Sequence, residues 1–310
     1  MNDKILILKK LIAFFIIVFL LDHAVGLILK KSYFAQKSGY DYRTTQVIEK
    51  VKPEILILGS SRASHHYNIQ LIEDSLKLSA YNGGRDGCFM FYYYAMLKAN
   101  LKRYHPKIIV LDIIPDEFQA GGDSYDRLNA LLPYYESHPE VREVCELRSK
   151  QEKFKLLSGI YPYNSKLLSV ITTFLDIKQR KTDDSKLKGY LPIDKVLKAP
   201  KAVEQLSDKM DPVKIEYFKK FINDCNGARI KLLVNVSPIY VRYSINNNPN
   251  IQIAKKVCDS SHVQFFDYSN DKDFNNSELY ADSHHLNTTG AALFTKKYIA
   301  NIKKALSDSN

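Results

Sequence analysis

The hydrophobic pattern divides the chain into two regions of different character. Residues 11–21 form an unbroken apolar run, followed by Asp22 and His23 and then by further apolar residues to Leu29, with lysines on both flanks. Ile5 to Leu29 has the length of one bilayer-spanning helix, and Asp22 and His23 inside it must face a partner or the headgroup zone. Beyond it, short runs rich in Ile, Val and Leu occur at residues 54–58, 78–82, 107–111, 231–236 and 263–266. They lack polar alternation, as strands covered on both faces do. Helical patterns fall between and after them, at Ile69 to Lys77, Cys88 to Arg103, Pro212 to Cys225, Pro249 to Ser260 and Thr288 to Leu306. This alternation predicts a three-layer α/β/α fold around a doubly wound, parallel, five-stranded sheet of flavodoxin-like type. From Glu117 to about Met210 no strand signal appears. Helical apolar spacing comes first, then a loop with many lysines between Lys178 and Lys201. The expected organisation is a membrane anchor at 1–36 and an α/β/α body at 37–310, with a mostly helical cap inserted at about 117–210. Such a cap would cover the carboxyl ends of the strands, where open α/β sheets bind ligands.

Composition narrows the class. The 310 residues are 45% hydrophobic and 25% charged, with 12 Gly and 11 Pro, which excludes a disordered, collagen-like or multi-pass membrane chain. The net charge of +11 is spread along the chain rather than gathered in a basic arm, so no nucleic-acid partner is expected. Cys88, Cys145, Cys225 and Cys258 stand too far apart for a zinc motif and read as small buried apolar residues, with disulfide pairing across long loops left open by their even number. The N-terminal segment has the charged start and apolar run of a signal peptide. The following Lys30-Lys31-Ser32-Tyr33-Phe34 has no small-x-small cleavage site, so an uncleaved signal anchor is expected. Lys4, Lys9 and Lys10 favour a cytoplasmic N-terminus, with the body on the extracytoplasmic side of the inner membrane.

The chemistry lies at two places. The first strand runs into Gly59-Ser60-Ser61-Arg62, a turn where a helix N-terminus offers N–H groups to a nucleophilic serine and its oxyanion. The same residues could form a helix cap or a phosphate-binding turn. Near the other end, Asp282-Ser283-His284-His285 puts a carboxylate three residues before an imidazole. That spacing lets Asp282 fix the tautomer of His285 while the other ring nitrogen faces a serine. His65-His66 and His284-His285 lack the further ligands of a tetrahedral site, so no metal is expected. Asn82-x-Gly84-x-x-Gly87 matches a dinucleotide fingerprint only loosely, follows the second strand and begins with Asn, so no cofactor is expected either.

Together these blocks resemble the SGNH, or GDSL-like, hydrolase superfamily. Gly59-Ser60-Ser61 takes the place of its Gly-Asp-Ser, and the resemblance makes Ser61 the nucleophile. Asn82 to Gly87 resembles the second block, which implies that the backbone N–H groups of Ser61 and Gly87 form the oxyanion hole. Asp282 and His285 resemble the late Asp-x-x-His pair. The third block departs from the pattern. The family shows Gly-x-Asn-Asp there, whereas this chain reads Leu111-Asp112-Ile113-Ile114-Pro115-Asp116 with no asparagine. Arg62, Arg85 and the cap are the candidates for the missing donor and for substrate contacts. The Gly-Ser-Ser variant, the single anchor and the altered third block also resemble the membrane-anchored, acyl-transferring branch of the bacterial cell envelope. The resemblance implies an esterase or O-acyltransferase acting on ester-linked acyl groups of an envelope glycan. The alternative is a non-catalytic, glycan-binding or scaffolding partner of a membrane acyltransferase.

Overall fold

The computed structural model describes residues 2–121, 123–174, 184–207, 209–243 and 248–307. Residues 175–183, which include the start of the expected lysine-rich loop, lie outside the described residues. The chain folds as two compact units, one built from residues 2–42 with 128–174 and the other from 43–127 with 184–307. The segment expected as one inserted cap is therefore shared between the two units.

In the smaller unit, helix α1 (Asn2–Phe34) runs for 33 residues. It is long and apolar enough to cross a membrane, and its apolar side chains from Ile5 to Leu21 are exposed. Only its last turns are covered. Tyr33 is buried edge-on against Tyr134 at a centroid distance of 6.0 Å and also lies against Tyr163.

The larger unit is an α/β fold on a five-stranded parallel sheet. Its strands are β1 (Ile55–Gly59), β2 (Ala80–Asn82), β3 (Ile108–Asp112), β5 (Lys231–Val236) and β7 (Gln264–Asp267), in the spatial order β2-β1-β3-β5-β7. Two short strands that the hydrophobic pattern does not announce, β4 (Val203–Glu204) and β6 (Arg242–Tyr243), pair separately. They are two residues each, too short to leave a periodic signal.

Every residue of β1 and β3 is buried, because both faces of the sheet are covered. The helices that flank the sheet are α2 (Ser61–His66), α3 (Ile69–Leu76), α4 (Met90–Leu101), α5 (Pro212–Gly227), α6 (Pro249–Ser260) and α7 (Thr288–Ser307). The starts of α5 and α6 follow from capping chemistry. Asp211 and Asn248 accept hydrogen bonds from Val213 N and Asn250 N, and Pro212 and Pro249 occupy the first turn, where a missing N–H costs nothing. On one face α7 packs Phe294, Tyr298 and Ile302 over Ile55, Ile57, Val110 and Leu233. On the other, α4 and α5 meet through Tyr217, which stands edge-on to Phe91 and Tyr94 at 5.2 Å.

The register positions the site. Gly59 pairs with Asp112, and Asp112 with Asn235, so the carboxyl ends of the three central strands are level. The order β2-β1-β3 means that the chain leaves β1 toward one side and reaches β3 on the other. The loops part there and open the crevice that such sheets use for ligands.

Phe294 is fully buried and touches the rings of Tyr67, Tyr268, Phe274 and Tyr298. Phe294→Ala is expected to destabilise the larger unit by about 3–5 kcal/mol, read from the shift of its urea midpoint at unchanged denaturant slope.

Candidate active site

The site begins at Gly59. Its φ of +151° and its close approach to the backbone oxygen of Asp112 leave no room for a side chain. The chain turns sharply and enters α2 at Ser61, behind the buried Ser60 in the N-cap position. The loop after β2 holds α2 in place. Asn82 Nδ2 donates to Ala63 O at 2.7 Å, Gly84 N donates back to Asn82 Oδ1 at 3.0 Å, and Arg85 N donates to Gly59 O at 3.0 Å. A Cβ on Gly84 would lie 2.5 Å from Ser64 N, so this contact also needs glycine.

Ser61 and His285 are 224 residues apart in sequence, and Ser61 Oγ lies 2.7 Å from His285 Nε2. His285 Nδ1 faces both carboxylate oxygens of Asp282 at 2.9 and 3.0 Å. A carboxylate only accepts, so Nδ1 carries the ring proton and Nε2 is left to accept from the serine hydroxyl. Asp282 Oδ1 also accepts from the backbone N–H groups of His284 and His285 at 2.8 and 3.0 Å. Partial burial works to raise the Asp282 carboxyl, but the His285 bond and these N–H groups outweigh it and hold the group well below the usual carboxylate range.

A second polar chain, which the sequence patterns did not announce, lies beneath this one. Leu286 N donates to His66 Nε2 at 2.9 Å, so His66 carries its proton on Nδ1 and gives it to Ser237 Oγ, also at 2.9 Å. The Ser237 hydroxyl donates to Asp112 Oδ2 at 2.7 Å, and Ser237 N donates to Asp112 Oδ1 at 2.9 Å. His66 is fully buried. Desolvation first, then the charges of Arg62 and the neighbouring imidazoles, push it well below the ordinary imidazole value and keep it neutral. The chain ties the residue after His285 to the ends of β3 and β5. The only sequence signals for it are a histidine inside the helix that follows Ser61 and polar residues closing two apolar strands.

Ser60, Ser61, Arg62, Gly87, Ile114, Gln119, Tyr243, His284 and His285 are among the residues lining a cavity of about 260 Å³. Gly87, at φ +69°, is on its wall together with Ser61. The Arg62 guanidinium faces inward, to Ile113 O at 2.5 Å, with Asp112 at 4.0 Å. Its Nε and Gln119 Nε2 are buried donors without a partner among the described residues, and both belong to cavity-lining residues. Arg85 is placed differently from the expected substrate contact. It does not line the cavity, and its guanidinium donates to Thr44 Oγ1 at 2.6 Å, because the loop after β2 turns that side chain back into the body. His284 pairs with Glu204 of β4 at 3.0 Å, and His65 faces Leu191 O and Asp86. Among the described residues no group of three His, Cys, Asp or Glu side chains is placed to hold a metal ion, and all four cysteines are buried and unbridged.

The loop that forms the cavity wall after β3 is anchored by Glu117. It is fully buried and accepts from Met90 N at 2.6 Å and Ile114 N at 3.3 Å. Burial raises its carboxyl to about 7, against the opposing pull of Lys214. The folded protein therefore holds this proton more tightly than the unfolded chain, whose value is near 4.5. The associated stability is complete below pH 4.5 and is lost as pH rises through about 7, by at most about 3 kcal/mol. Glu117→Gln is expected to flatten the fall in urea stability between pH 5 and 8. Ser237→Ala leaves His66 and Asp112 each short of a buried partner and is expected to cost about 1–3 kcal/mol, whereas Ser237→Thr, which keeps the hydroxyl, retains most of the stability.

No protein-family model matches this chain, and no curated protein matches it. Among solved structures it is similar to the acetyl xylan esterase AlAXEase, with 14% sequence identity, coverage of 80% of this chain and 99% of that one, and a TM-score of 0.40.

Proposed function

We propose that this protein is a membrane-anchored serine esterase or O-acyltransferase of the SGNH type, acting on ester-linked acyl groups of a cell-envelope glycan from the extracytoplasmic face of the inner membrane. The observation that carries the reading is the continuous hydrogen-bonded line from Ser61 Oγ through His285 to Asp282, at the wall of a cavity above the carboxyl ends of a parallel sheet. The strand order β2-β1-β3-β5-β7 supports it as the order of flavodoxin-like sheets.

In this reading His285 Nε2 takes the Ser61 proton as Oγ attacks the ester carbonyl. The backbone N–H groups of Ser61 and Gly87 receive the oxyanion, and Gln119 Nε2 or Arg62 Nε substitutes for the asparagine that the third block lacks. The carbonyl re-forms, the ester C–O bond breaks, and the departing alcohol leaves with the proton from His285. The acyl group is now on Ser61. Water or a glycan hydroxyl then attacks, with His285 again accepting the proton, and Ser61 is restored. Asp282 keeps the ring oriented and balances the imidazolium as it forms.

Labelling of the full-length chain in detergent with a fluorophosphonate probe is expected for the wild type and absent for Ser61→Ala and His285→Ala. Asp282→Asn should slow p-nitrophenyl acetate cleavage by about 10⁴-fold through the wrong tautomer. A folded wild type that neither reacts with the probe nor cleaves the ester would instead support the glycan-binding partner reading.

A further inference from the structure

The smaller unit carries an apolar surface that the proposed chemistry does not use. In the turn at residues 157–159, Ser158 Oγ donates to Asp22 Oδ1 at 2.7 Å and Gly159 N to Asp22 Oδ2 at 2.5 Å. One turn further along α1, a Cβ on Gly26 would fall 2.5 Å from Gly159 C, so the two backbones touch. Large apolar side chains of this unit are exposed. Leu157 is 67% exposed and Phe154 73% exposed, while Leu168, at 79%, and Ile171 lie on the Leu167–Phe174 helix, which packs against α1.

Helix geometry sets the depth of the junction. The exposed apolar surface of α1 extends from Ile5 to Ile28, past Asp22. At 1.5 Å per residue it is about 35 Å long, against about 30 Å for a hydrocarbon core. Centring that surface in the core puts Asp22 about 8 Å beyond the midplane, still inside the apolar layer. A carboxylate at that depth needs a partner. The 157–159 turn supplies two partners, beside His23 of α1 itself at 3.4 Å, so the turn lies at the same depth. Leu157 and Phe154 then meet lipid rather than water, while Lys153 and Lys155, which flank Phe154 and are 67% and 42% exposed, are neutralised by Glu146 at 3.1 Å and Glu152 at 3.4 Å.

We propose that the smaller unit is seated in the acyl-chain and headgroup boundary of the bilayer that α1 crosses, with Phe154, Leu157, Leu168 and Ile171 as its lipid-facing residues. The proposal rests on reading α1 as a membrane span. It makes the anchor a helix with a docked, half-embedded collar rather than a free tether.

The test uses full-length single-cysteine variants, L11C, F154C, L157C, L168C and E216C, labelled with an environment-sensitive nitrobenzoxadiazole dye. They are reconstituted in vesicles of phosphatidylcholine and phosphatidylglycerol, and the four buried native cysteines are checked by an unmutated control. The dye at positions 11, 154, 157 and 168 is expected to be quenched by lipids carrying a nitroxide on the acyl chain and shielded from aqueous iodide. Position 216, exposed on α5, should show the reverse. Lipid contact at position 11 with water exposure at 157 or 168 overturns the seated collar and leaves the span intact. Water exposure at position 11 overturns the span itself, and the collar with it.

Discussion

A buried carboxylate organises the larger unit. Asp112 closes the central strand β3 with essentially no access to water, and its oxygens are met by Ser237 N, Ser237 Oγ and Asn235 Nδ2, with the Arg62 guanidinium 4.0 Å away. Burial raises its pKa and these groups oppose the rise. Removing the charged partner of such a cluster, Arg62, leaves the carboxylate buried and uncompensated, at a cost of about 3–5 kcal/mol for a buried ion pair. The ends of β3 and β5 and the start of α2 are therefore held in a single arrangement. Through His66 the same cluster fixes the backbone N–H of Leu286, next to His285. The 2.7 Å between Ser61 and His285 is set from beneath as much as by the two residues themselves.

Two Ser, His and Asp chains lie a few ångströms apart among the described residues, and their surroundings give them different capacities. In the upper chain the serine is at the end, at a cavity wall, and its hydroxyl faces an imidazole nitrogen free to take a proton. In the lower chain Ser237 stands between His66 and Asp112, and the second nitrogen of His66 already receives a backbone N–H. That chain is full. It can hold a geometry but has no atom to offer a substrate, and residue type alone does not distinguish the two.

Polar intrusions into apolar segments follow one rule in both units. Asp22 interrupts the apolar face of α1 and accepts from Gly159 N of the 157–159 turn, while Glu117, inside the packed body, accepts from Met90 N at the start of α4 and from Ile114 N of its own loop. A lone buried carboxyl is costly, so the bonds made by the fully buried Glu117 place its loop as well as itself.

How far the sequence reached depends on the range of each interaction. Periodicity reports burial, so the runs at 54–58, 107–111 and 231–236 anticipate β1, β3 and β5 to within a residue, and the helical patterns that begin at Pro212 and Pro249 anticipate α5 and α6. The bond between Asp282 and His285 spans three residues and is equally local. Other features depend on partners far along the chain and leave no local trace. Arg85 turns to Thr44, His66 reaches Ser237 across 171 residues, Gln119 comes to the cavity wall without an Asn-type motif, and the stretch expected as one cap divides between two units. Sequence by itself determined which segments are buried strands and helices and which residues could carry a serine-based chemistry, because both are written in composition and short spacing. Only the tertiary structure decided which of those residues meet, because strand register and the satisfaction of buried charge are settled between distant segments as they pack.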